Sequence, residues 1–151
     1  ITPQRSGLNQ GTWRILEERV RDLAARGVPV SVVTGPLYER EMPSLPNASR
    51  PHRVPSGYWK VVLLDPDPEA VGDEAVAGFV MDQDLPRKAD FCATAVAVDG
   101  IEARSGYDLF PALDHDETFE SGLGSLYTEL GCDGDSLRTA ATAAAASAAD
   151  Q

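Results

Sequence analysis

Residues 8–26 carry an apolar stripe that a helix gathers on one face: Trp13, Leu16, Val20, Leu23 and Ala24 recur at three- and four-residue steps. Glu17, Glu18, Arg19 and Arg21 fall off the stripe or on its margins, and Gly27 follows the last periodic residue, where a helix-ending glycine belongs. The stretch therefore predicts one amphipathic helix that must bury its stripe against an apolar partner.

Strands downstream supply that partner. Residues 28–34 are dense in β-branched side chains and end at the turn signal Gly35-Pro36. Residues 41–55 hold four prolines, an asparagine and two serines, and read as a long ordered loop. Residues 58–64 form a strongly apolar run stopped by Asp65-Pro66-Asp67-Pro68; residues 75–81 and 91–98 are two further strand candidates. Asp99 and Glu102 have capping-box spacing, which predicts a short helix through 101–104 ending at Gly106. Residues 107–132 are loop-rich, with one short helix near 123–130. Strands in succession with few helices make an α+β fold with a mainly antiparallel sheet. Residues 1–132 suit one domain; 133–151 are an alanine-rich tail, either a frayed helix or unordered, with little apolar area to anchor a core.

No run approaches the roughly 18 apolar residues of a membrane span, and no stretch reads as a signal peptide. The formal charge of −11 argues against a protein that grips long duplexes by phosphate neutralisation. It leaves either weak binding through a few local cations and a metal, or no contact with nucleic acid. Cys92 and Cys132 lie outside any Cys-x-x-Cys pair. They are either one disulfide, which requires an oxidising compartment, or two unrelated buried thiols.

Asn9, Glu17 and Arg21 are spaced by eight and four, which puts an amide, a carboxylate and a guanidinium along one edge of the predicted helix. The amide oxygen is a hard ligand suited to a well-hydrated Mg²⁺. The guanidinium can grip a phosphate bidentately, and the carboxylate can orient a water of the ion's shell or hold the arginine. Each residue also has an ordinary explanation: Asn9 as an N-cap or turn residue, Glu17 and Arg21 as a surface i, i+4 pair. His52 and His115 are the two histidines. His52 reads as a loop residue; His115, among Asp114, Asp116 and Glu117, reads as part of a solvated acidic loop rather than a metal cluster.

The run ITPQRSGLNQGTWRILEERVR resembles the metal-binding helix of the Serratia-type DNA/RNA non-specific endonucleases, a ββα-metal family. VVTGPLY, VPSGYWKVV, DFCATAVAVDGIEARSGYDLFPAL and the late Gly131-Cys132 match in the same order. The resemblance covers 1–132 and implies an α+β, ββα-metal nuclease fold whose N-terminal part is missing here. It implies Asn9 as the direct protein ligand of one Mg²⁺, Glu17 as holder of a metal water, Arg21 on the phosphate, and a Cys92–Cys132 disulfide. The expected activity is Mg²⁺-dependent hydrolysis of DNA and RNA through phosphate contacts, in a secreted or periplasmic protein without a membrane anchor, with a homodimer allowed. The family's Asp-Arg-Gly-His motif, whose His deprotonates the attacking water, has no counterpart here: there is no general-base His in this chain. These 151 residues are therefore expected to be inactive alone. The alternative is a catalytically dead binding or structural module on the same scaffold.

Overall fold

The computed structural model describes residues 2–64, 76–111 and 124–149. In chain order these form α1 (Ser6–Asn9), α2 (Thr12–Ala25), β1 (Val30–Leu37), β2 (Gly57–Leu64), β3 (Val76–Asp82), a 3₁₀ helix (Phe91–Thr94), α3 (Val98–Ser105), α4 (Leu126–Glu129) and α5 (Gly134–Ala149). The strands make one antiparallel sheet in the order β1-β2-β3. Thr34 of β1 sits opposite Lys60 of β2, and Lys60 opposite Phe79 of β3.

β2 is the central strand, which explains its near-continuous apolar run: both of its faces are covered. Tyr58 and Val62 face one core with Leu8, Trp13, Leu16 and Leu23 of the first two helices. Trp59 and Val61 face a second core with Val98 and Ile101 of α3. Helix, sheet and helix thus form three layers, and the stripe of α2 finds its partner on the first face. β1 runs through Gly35-Pro36 rather than stopping there, and pairs along its full length with β2.

The expected single helix over 8–26 is two helices, broken at Gln10-Gly11. The expected strand over 91–98 is a 3₁₀ helix followed by a lone bridge from Ala95 to Phe79. Asp90 causes that difference: its carboxylate accepts from the Cys92 N–H at 3.0 Å, giving the backbone a turn bond in place of a ladder bond. α3 begins earlier than its capping-box spacing implied. Asp99 accepts from Gly100 N and Glu102 from Leu109 N, so no reciprocal box forms, while Gly106 ends the helix in the left-handed region.

Of the two readings of the tail, a frayed helix or an unordered segment, the structure has the helix: residues 134–149 form α5. Ala140 is buried, Leu137 packs on the core, and Ser136 Oγ donates to Asp90 Oδ2 at 2.8 Å. Small alanine side chains let this helix approach the 3₁₀ helix closely. Cys92 and Cys132, the pair the resemblance named, are disulfide-bonded and tie that 3₁₀ helix to the segment leading into α5. The predicted acidic loop around His115, the stop at 65–68, Ala75 and Leu123 lie outside the described residues.

α4 is pinned by one hydroxyl. Tyr127 Oη accepts from Gly78 N–H at 2.8 Å and shares its proton between Gly78 O and Val96 O at 3.1 and 3.2 Å. Burial pushes the phenol up to about 12, partly offset by the Gly78 N–H bond. Tyr127→Phe strands a buried backbone N–H and is expected to cost about 1–3 kcal/mol, read as a lower urea midpoint at unchanged slope.

Candidate functional site

Asn9 owes its place to a docked helix break. Ahead of α1, Pro3 O accepts from Tyr58 Oη at 2.7 Å and from Gln83 Nε2 at 3.0 Å, while Arg5 N donates to Gln83 Oε1 at 2.8 Å. Gln83 is buried, so these bonds clamp the entry of the chain to the sheet. Leu8 then drops into the core. Beyond α1, the Thr12 hydroxyl reaches Pro86 O and Ala89 O at 3.2 and 3.0 Å. Gly11 lies so close to the 86–89 segment that a Cβ there would stand 2.4 Å from Arg87 O and 2.4 Å from Gly7 O. No side chain fits there; Gly11, at φ −112° and ψ −118°, separates the two helices, and Asn9 is the last residue of α1. Its side chain is exposed and has no hydrogen-bond partner among the described residues.

Glu17 and Arg21 remain one turn apart on α2, on the flank that meets β2. They do not pair with each other; the i, i+4 ion pair of this helix is Arg14–Glu18 at 3.6 Å. Glu17 Oε1 instead accepts from Trp13 Nε1–H at 3.0 Å and lies 3.5 Å from Lys60 Nζ. Lys60 is almost wholly buried, and its ammonium sits 4.2 Å from the centre of the Trp13 ring. Burial holds this lysine below its usual range; Glu17 pulls it back up, and Arg21 pushes it further down. Both Glu17 contacts fall on Oε1, so Oε2 has no protein partner among the described residues. Arg21 is exposed there without an ion-pair partner.

The structure thus brings Glu17 and Arg21 together with two residues that spacing did not single out, Lys60 and Trp13. Asn9 stands on a separate helical turn and makes no direct bond to that cluster, which corrects the expectation of all three groups along one helix. Among the described residues no three His, Cys, Asp or Glu side chains converge on a metal position. A cation held here would rely on few protein oxygens and keep its own waters, as small hard divalent ions do. His52 lies in a different place, an open cleft of about 650 Å³ lined also by Tyr38, Arg40 and Arg53.

The model of the DNA/RNA non-specific endonucleases matches residues 1–116. The chain belongs to this family. It is 43% identical to a nuclease of Serratia marcescens over 136 residues, covering 87% of this chain and 50% of that protein. It is 32% identical over 157 residues to the mitochondrial nuclease EXOG of Xenopus laevis, covering 91% of this chain and 38% of that protein. The chain therefore spans about half the length, or less, of these relatives. A chain from a crystal structure of the EndoG/EndoGI complex superposes with a TM-score of 0.53 over 73% of this chain and 48% of that one, at 22% identity. The mixed helices and antiparallel sheet are those of the ββα-metal nuclease fold.

Within this family member the helix break can be tested separately from chemistry. Gly11→Ala puts a methyl against two backbone oxygens that no rotamer change can move, and is expected to cost about 1–3 kcal/mol or more. Gly7→Ala, whose Cβ meets nothing within 4 Å, is the near-neutral control. Differential scanning calorimetry of the two variants reads the difference.

Proposed function

We propose that this chain is the metal- and phosphate-holding portion of a Mg²⁺-dependent, sugar-non-specific endonuclease acting on DNA and RNA. The observation that carries the reading is a set of groups without a protein partner among the described residues, in a member of the DNA/RNA non-specific endonuclease family: the exposed Asn9 amide at the end of α1, and Glu17 Oε2 and the exposed Arg21 guanidinium one turn apart on α2. Asn9 would hold the ion by its amide oxygen, Glu17 would accept a hydrogen bond from the ion's hydration shell, and Arg21 would fork onto a phosphate. When bound, the ion supplies charge neutralisation at the scissile phosphodiester. Contacts confined to phosphate and metal carry no base or sugar information, which accounts for an enzyme indifferent to both.

The general base is not assigned to either histidine of this chain. Lacking it, these residues alone should fall about 10²–10⁴-fold short of the complete enzyme. The disulfide supports residence in an oxidising compartment, secreted or periplasmic; among the described residues no helix is long and apolar enough to cross a membrane. The charge of −11 favours one competing reading, a binding module without catalysis.

Cleavage of supercoiled plasmid and of RNA separates the two. The full-length gene product should nick both with Mg²⁺ and stop with EDTA. Asn9→Ala should lower the rate by at least about 10²-fold, in line with loss of a metal ligand's contribution to phosphate chemistry. A full-length product with no Mg²⁺-dependent cleavage supports the binding module instead.

A further inference from the structure

Lys60 is out of place by every local rule. It stands in the central strand, between Trp59 and Val61, opposite Phe79, and its side chain is 5% exposed. The ammonium is not simply led along an apolar surface to water, as long lysines usually are. It stops over the Trp13 ring, 4.2 Å from its centre and 3.5 Å from Glu17 Oε1. The same indole donates its N–H to the same oxygen at 3.0 Å. Two donors from two elements, one on the sheet and one on the helix, converge on one oxygen of a carboxylate whose side chain is itself 41% exposed.

We propose that Lys60 is a positioning residue: with the Trp13 indole it clamps Glu17 Oε1 so that Oε2 is the oxygen offered to the ion's water shell. This rests on the reading of Glu17 as part of the metal site. An exposed glutamate on a helix samples several rotamers. Held at one oxygen from two directions, it keeps one, and its second oxygen is set in advance. Partners that orient a metal site from behind typically matter about 10–100-fold in metal affinity. Lys60→Met removes the buried charge and leaves unpaired only Glu17, whose side chain is 41% exposed and stays solvated. The variant should therefore stay folded and still disorder Glu17.

The test uses the chain itself and two readouts. The indole N–H resonance of Trp13, assigned with Trp13→Phe, should shift in Lys60→Met, and the shift should be smaller when both proteins also carry Glu17→Ala, the remainder being the direct loss of the ammonium over the ring. Mn²⁺ affinity from the free-ion electron paramagnetic resonance signal should drop about tenfold or more in Lys60→Met, with no further drop in the Glu17→Ala background. Lys60→Gln replaces Lys60→Met if the latter loses its cooperative melt; loss of folding in both makes the lysine structural and overturns the proposal. A folded variant with an unmoved Trp13 resonance and unchanged Mn²⁺ affinity also overturns it. Should the unsubstituted chain bind no Mn²⁺ while the resonance still moves as described, the clamp stands and the metal-site reading fails.

Discussion

Lys60 carries an ammonium into a strand covered on both faces, and burying a charge is tolerable only if the cost is met locally. Here it is met by the face of Trp13 and one oxygen of Glu17. That requirement fixes how α2 lies on the sheet. The helix cannot rotate about its axis without lifting Trp13 off the ammonium, nor slide without carrying Glu17 away. The stripe of Leu16 and Leu23 holds the helix down, but apolar contacts are forgiving of small slips. The polar contact between Lys60, Trp13 and Glu17 sets the register, and the register sets which groups of α2 face outward.

The sequence displayed some of this and hid the rest for physical reasons. The apolar stripe of α2, the run of β2 and the ordered loop between β1 and β2 are local patterns and were legible. The break at Gly11 was not: the close approach that reserves this position for glycine comes from Arg87, far along the chain. With the helix whole, Asn9 counted as a position on its edge; with it broken, Asn9 belongs to a turn anchored by Pro3, Tyr58 and Gln83. Residues 91–98 look like a strand by composition, yet 91–94 form a 3₁₀ turn in which Asp90 takes the Cys92 N–H, and only Ala95 bridges to the sheet. Lys60 did leave a signal that spacing arguments passed over: a single charge in the middle of YWKVVLL, where a covered strand should have none.

The acidic exterior and the candidate site are compatible once charge is considered locally. Several arginines are spent on carboxylates, as with Arg104 on Glu39 and Arg40 on Asp82 and Asp84. The bond to Arg104 holds Glu39 below the usual carboxylate range. Arg21, like Arg19 and Arg50, is in no such pair among the described residues, and it stands one turn from Glu17, close enough to push the pKa of Lys60 down. On the proposed reading, a surface that repels polyanions in general but leaves the Arg21 guanidinium free near Glu17 would bind a phosphate at that point and release product readily.

The most direct measurement is paramagnetic relaxation in the isotope-labelled chain as Mn²⁺ is added. An ion held between α1 and α2 should broaden the side-chain amide of Asn9 first, together with the backbone signal of Glu17, and EDTA should restore both. Broadening that begins instead at the carboxylates of Asp82 and Asp84, with Asn9 untouched, would contradict the assignment.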